Sequence, residues 1–124
     1  MLLVSLSYGQ ITDSSEIMVN FIEEPPFFKG DLKEFIQSEI DYPLSAKNDS
    51  IQGTVIVSFK IDTLGFTFEH KVVKGVREDL NNESLRVTKL IKFESPALQK
   101  GKPIPVKYVL PVVFKLDYTK KKEK

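Results

Sequence analysis

The chain has 124 residues, 41% of them apolar, which suits one domain with its own core plus tails and excludes a protein built to live within a bilayer. Its formal net charge of +1 points to neither nucleic acid nor an acidic substrate. With no cysteine and a single histidine, disulfides, thiolate chemistry and metal sites made from Cys or His clusters are excluded, and no cofactor is implied.

The chain opens on the apolar run Met1-Leu2-Leu3-Val4-Ser5-Leu6-Ser7-Tyr8-Gly9. A bilayer takes about 20 such residues, so no membrane span is expected. The run resembles the back half of a secretory signal peptide, with small Ser7 and Gly9 before a cut at Gln10. Residues 1–9 therefore read as a signal-peptide remnant whose true start lies upstream. The alternative is an ordinary N-terminal segment. Residues 10–22 read as an arm, and Glu16 to Glu24 suit a short strand or an extended stretch. Pro25-Pro26 ends it, and Phe27-Phe28 are expected to dock it on the core.

Asp31 and Glu34 have capping-box spacing after the loop residue Gly30. Leu32, Phe35, Ile36 and Ile40 then share one face of a first helix. The residue before a proline avoids the helical region, so this helix ends before Tyr42-Pro43. Ser45 to Gln52 reads as a polar connection. Thr54 to Ile61 is a strand with Val55, Val57, Phe59 and Ile61 on one face. Asp62-Thr63-Leu64-Gly65 is a tight hairpin turn, with Gly65 free to take positive φ. The second strand runs from Phe66 to about Lys74. Its alternation groups Phe66, Phe68, His70 and Val72, or shifts by one if a bulge intervenes. Val76 to Leu80 reads as a loop, and Asn81 or Asn82 as the cap of a second helix. Ser84, Val87, Thr88 and Ile91 share its inner face, and the small residues let it approach the sheet closely. That helix ends before Ser95-Pro96, and Ala97 to Lys102 reads as a loop with Gly101 at its tip.

The rest of the chain is organised around Pro103 to Leu116. Val106, Tyr108, Leu110, Val112, Phe114 and Leu116 alternate with Lys107, Val109, Pro111, Val113 and Lys115. The first set points into a core. Pro111 has no N–H for a ladder, so the strand belongs at a sheet edge. Tyr118 to Lys124 reads as a solvated Lys-rich tail. The connection from the second strand to the last is a crossover. Right-handed crossover places the last strand beside the first. The expected fold over residues 23–117 is a two-layer α+β domain. It has a three-stranded antiparallel or mixed sheet of order 2-1-3, with two helices on one face.

Several residues then fall into a familiar order. Tyr42-Pro43, Gly53 with Val55-Ile56-Val57, Asp62-x-x-Gly65, Val72-x-x-Gly75, Gly101-Lys102-Pro103 and Val106-x-Tyr108-x-Leu110-Pro111-Val112-x-Phe114 resemble the C-terminal domain of TonB over about Glu23 to Leu116. The pattern looks most like the short TonB-like proteins common in Bacteroidetes. It lacks the anchor helix and proline-rich spacer of a full TonB. Phe93-Glu94-Ser95-Pro96 stands where the family often has Trp before proline. The resemblance implies a periplasmic, non-catalytic binding domain in TonB-dependent transport. Its partner would be the Ton box, an extended peptide of outer-membrane receptors, added as a strand to the last strand. By position that edge is Lys107, Tyr108, Val109, Leu110, Pro111, Val112 and Val113, with Pro111 interrupting the donors.

Other uses of the same residues stay open. An unpaired edge also invites a second copy of the chain, and Val109 and Val113 could line a homodimer surface. Pro111 could simply protect the edge. A small hydrolase or ligand-binding site around His70 and Glu69 is weaker, because no Ser or Asp motif accompanies the lone imidazole. Glu23-Glu24 and Glu78-Asp79 read as solvated charge. Gly53, Gly65 and Gly75 are turn residues rather than a phosphate loop. The outer sheet face offers Ile56, Ser58 and Lys60 but no aromatic cluster for stacking RNA bases.

Overall fold

The computed structural model describes residues 23–116. The signal-peptide reading, the arm over 10–22 and the Lys-rich tail lie outside the described residues. The elements follow as α1 (Leu32–Glu39), α2 (Leu44–Asn48), β1 (Gly53–Ile61), β2 (Thr67–Lys74), α3 (Glu78–Thr88), β3 (Ala97–Gln99), β4 (Lys102–Ile104) and β5 (Val106–Phe114).

The main sheet has the order β2-β1-β5, and β1 is antiparallel to both neighbours. This is the expected 2-1-3 arrangement of an α+β domain. Val55, Val57, Phe59 and Ile61 are buried on the inner face of β1, together with Val106, Val112 and Phe114 of β5. Ile36 of α1 and Leu80 and Val87 of α3 close the same core. A row of rings ties the layers. Phe59 stacks on Tyr108 at 5.4 Å, Tyr108 meets Phe93, and Phe93 meets Phe28, which meets Phe35 of α1. Phe28 thus packs on the core as expected. Phe27 does not: its side chain is exposed, and only its backbone bonds to Ser95.

α1 starts where the capping spacing places it. The Glu34 N–H donates to Asp31 Oδ1 at 3.1 Å, which satisfies one free donor of the first turn. In α3 the inward hydroxyls are satisfied within the helix. Ser84 donates to the Leu80 carbonyl and Thr88 to the Ser84 carbonyl, so two polar residues are buried against the sheet without an unmet bond.

Several expectations of secondary structure fail. α3 begins at Glu78, not after Asn81 or Asn82, so Val76 to Leu80 is only in part a loop. Its N-cap, Arg77, makes no side-chain cap. Asn81 instead reaches back to accept the Val76 N–H at 3.0 Å, fastening the loop from inside the first turn. The polar connection from Ser45 contains the helix α2, whose Ala46 is fully buried. Ala97 to Lys102 is not a loop but most of a hairpin, β3 paired with β4, with Lys100 and Gly101 both at positive φ in its turn. The long final strand is accordingly split. Ile104 belongs to β4, and Pro105 separates it from β5.

Charged pairs fasten the short helices. Arg77 bonds Asp49 at 2.8 Å and Asp79 at 2.8 Å, while the Ser45 hydroxyl donates to Asp79 at 2.7 Å. Asp79 is therefore committed to a network that joins α2 to α3, not free solvated charge. Arg77 foremost, with Ser45, holds its carboxyl well below the usual carboxylate range. A depressed acid contributes stability above the unfolded value of about 4, and that contribution disappears as pH falls through the folded value. Asp79→Asn should accordingly flatten the acid limb of stability below about pH 4. Thermal unfolding of both proteins across that range checks it. Equal pH slopes would refute the assignment.

Candidate peptide-binding edge

β5 is the last strand of its sheet, and its partner β1 pairs with it without a register break from Gly53↔Phe114 to Ile61↔Val106. In an antiparallel ladder, residues that exchange both hydrogen bonds alternate with residues whose N–H and C=O point away. Pro111 stands opposite Ile56 and has no N–H to exchange, so it belongs to the second kind. Lys107, Val109 and Val113 share its parity. Their backbone groups therefore face the open margin, while Tyr108, Leu110 and Val112 hold β1. One contact bears this out. Gln37 of α1 donates through Nε2 to the Val113 carbonyl at 3.2 Å, from outside the sheet.

The margin thus has two unequal parts. Lys107 and Val109 present a donor and an acceptor each. Pro111 presents an acceptor only, and Val113's acceptor is already held by Gln37. All seven expected edge residues lie on β5. Side chains of Tyr108, Leu110 and Val112 turn inward, and those of Lys107, Val109, Pro111 and Val113 outward. Burial pushes the Tyr108 phenol up from its ordinary value. Beside the edge, Lys33, Ile36 and Gln37 of α1 face Leu110, Pro111 and Val113 across a groove of about 200 Å³. Sequence reasoning missed this helical wall. Lys33 and Gln37 lie off the apolar positions Leu32, Phe35, Ile36 and Ile40, and nothing local says that α1 borders the edge.

The residues around His70 do not form a second site. β2 carries a bulge at Glu69, with φ of 54°, so that two residues stand against Phe59. This selects the shifted alternation. His70 and Val72 point inward, and Phe68 points outward. His70 lies 5.5 Å from the Phe59 ring, and its Nε2 bonds Thr67 Oγ1 at 2.9 Å. Glu69 lies across the sheet and pairs with Lys60 at 2.9 Å. The two side chains are thus on opposite faces, which removes the hydrolytic pairing. Burial foremost, then the nearby Lys89 charge, lower the His70 pKa. The folded chain binds this proton less readily than the unfolded one, so stability is full above about pH 6.5 and falls as pH drops through the folded value. His70→Gln should reduce that slope as pH falls below about 6.5, read from unfolding midpoints. An unchanged slope would show that another group titrates there.

Among the described residues no group of three or more His, Asp or Glu gathers as a metal site, and no helix is long and apolar enough to cross a membrane.

Comparison with known proteins agrees with this geometry. The family model for the Gram-negative bacterial TonB protein C-terminal matches residues 38–116. Two NMR solution structures of the Helicobacter pylori TonB C-terminal domain are similar to the chain. The one of residues 179–285 is 28% identical with a TM-score of 0.54, over 68% of this chain and 77% of that one. The one of residues 194–285 is 30% identical with a TM-score of 0.54, over 67% and 87%. No curated protein sequence gives a match. The shared sheet order, the proline-bearing final strand and a family match over most of the described residues lead to one assignment: the chain belongs to the TonB C-terminal domain family.

Proposed function

We propose that the chain is a periplasmic protein-interaction module that takes an extended Ton-box-like peptide of an outer-membrane receptor as a fourth strand along β5, in TonB-dependent transport. The observation that carries this reading is the open margin of β5, with outward backbone groups at Lys107 and Val109 and a groove wall supplied by α1. Strand addition needs such a row of unpaired donors and acceptors, and alternate guest side chains need a pocket. The guest ladder is strongest over Lys107 to Val109. It weakens at Pro111, which lacks a donor, and ends at Val113, where Gln37 occupies the acceptor.

NMR titration with a synthetic Ton-box peptide tests this. The Lys107 and Val109 amides should shift most and Val113 less. Val109→Pro deletes an outward donor while leaving the β1 ladder intact. It should weaken the peptide by about tenfold or more, the scale of one or two lost hydrogen bonds, with an unchanged fold. No shift between Lys107 and Val113 in a folded protein would defeat the reading. The competing use of this edge is pairing with a second copy. Sedimentation should then show a dimer at micromolar concentration that Val109→Lys weakens.

A further inference from the structure

The sheet has a second face that the helices leave uncovered. Its central strand contributes Ile56, Ser58 and Lys60, the partners of β5 residues Pro111, Val109 and Lys107 and of β2 residues Lys74, Lys71 and Phe68. Paired residues share a face. Ser58 at the centre of this face is 2% exposed, covered by its neighbours, and around it Val73 is 57% exposed, Val109 55% and Phe68 38%. Lysines stand among these apolar side chains. Lys60 is neutralised by Glu69. Among the described residues, Lys71, Lys74 and Lys107 have no salt-bridge partner. The acidic residues in ion pairs elsewhere, Asp49, Asp79 and Glu83, serve arginines at the start of α3 and along it. Unpaired lysines stand on the helical side too, but there acids surround them: the three helices carry five acidic and three basic residues, whereas β1, β2 and β5 carry four lysines and one glutamate.

The chemistry of this face narrows its partner. Protein interfaces are rich in Arg, Tyr and Trp and poor in Lys. Here the arginines, Arg77 and Arg86, are both engaged at α3, Tyr108 points inward, and there is no Trp. What remains is aliphatic and phenyl surface among lysines, whose long stems lie along apolar surface while the ammonium stays at its rim. That combination suits a bilayer surface. Apolar tips enter the headgroup boundary and each lysine near the surface gains from anionic lipid.

We propose that the outer face of the β2-β1-β5 sheet docks peripherally on an anionic phospholipid bilayer. This use of the face is independent of strand addition at the β5 margin. The test is co-sedimentation of the full chain with vesicles of phosphatidylcholine alone and of phosphatidylcholine mixed with phosphatidylglycerol. Binding to the anionic vesicles should be about tenfold stronger or more, and molar salt should abolish the difference. The double variant Lys71→Glu/Lys74→Glu lies on β2, away from the β5 margin, and should lose about tenfold or more in binding. Val73→Asp should also weaken it. Lys47→Glu/Lys89→Glu makes the same charge change on the helical side and should leave binding nearly intact. Unfolding midpoints confirm that each variant folds. Equal partition into both vesicle types overturns the proposal, as does equal loss from the two double variants. So does self-association of the chain that Lys71→Glu/Lys74→Glu abolishes, since the face would then belong to a second copy.

Discussion

Phe59→Ala is expected to lower stability by about 3–5 kcal/mol, the range for truncating a buried phenyl ring. The ring is 1% exposed at the middle of the central strand. It stacks nearly parallel on Tyr108, at 12°, and touches His70 on the other side. Removing it forfeits the transfer free energy of the ring and leaves a hole that three strands cannot close, because both neighbours are fixed by their ladders. A domain of this size holds about 5–15 kcal/mol in total, so about a fifth or more of it is lost. With about 4–8 °C per kcal/mol, the midpoint should fall by at least about 12 °C. A fall of under about 5 °C would mean that the row of rings repacks and that Phe59 is not its centre. The peptide edge should suffer as well, since Tyr108 loses the surface it stacks on. Phe59→Leu, which keeps much of the volume, should cost less than half as much.

The parts of the fold that were legible in the residues share one property: their signal repeats. Val55, Val57, Phe59 and Ile61 on β1, and Val106 to Phe114 on β5, alternate without interruption, so period and face agree. The placement of β5 at the edge followed from Pro111 and from crossover handedness, both of which act through the backbone. The bulge at Glu69 was not decidable, because Phe66 and Phe68 fit an unshifted strand equally well. Only the ladder with β1 chooses, by burying His70 against Phe59. The start of α3 was missed for a related reason. Two asparagines look like caps, yet the helix begins before them with Arg77 held by Asp49 and Asp79, partners far apart in sequence or inside the first turn. β3 and β4 are three residues each and lie among prolines, so neither has enough alternation to read. At the candidate site the strand was legible and the groove was not. Its wall at Lys33, Ile36 and Gln37 is placed by tertiary packing alone.

Gly65→Ala should be the most costly exchange of a single methyl group, about 3 kcal/mol or more. Two effects combine there. Gly65 has φ of 93°, and an L-residue at positive φ costs roughly 1–2 kcal/mol. A Cβ at this position also runs into the Phe93 carbonyl oxygen, which is backbone and has no rotamer to change. Relief requires moving the Phe93 segment, and that segment is held on both sides. The Phe93 N–H donates to the Gly65 carbonyl at 2.9 Å, and the Phe93 ring is 1% exposed between Phe28 and Tyr108. The turn itself cannot yield. Asp62 Oδ1 accepts from Leu64 N at 2.8 Å and Phe66 N at 2.9 Å, which fixes the loop around Gly65. Gly101 supplies the comparison. It also has positive φ, 75°, but a Cβ there meets nothing within 4 Å. Gly101→Ala should therefore show the conformational cost alone, about 1–2 kcal/mol. Denaturant midpoints of the two variants separate strain from collision. If they fall equally, the close approach of the hairpin turn to Phe93 contributes nothing, and the aromatic row is not anchored from that side.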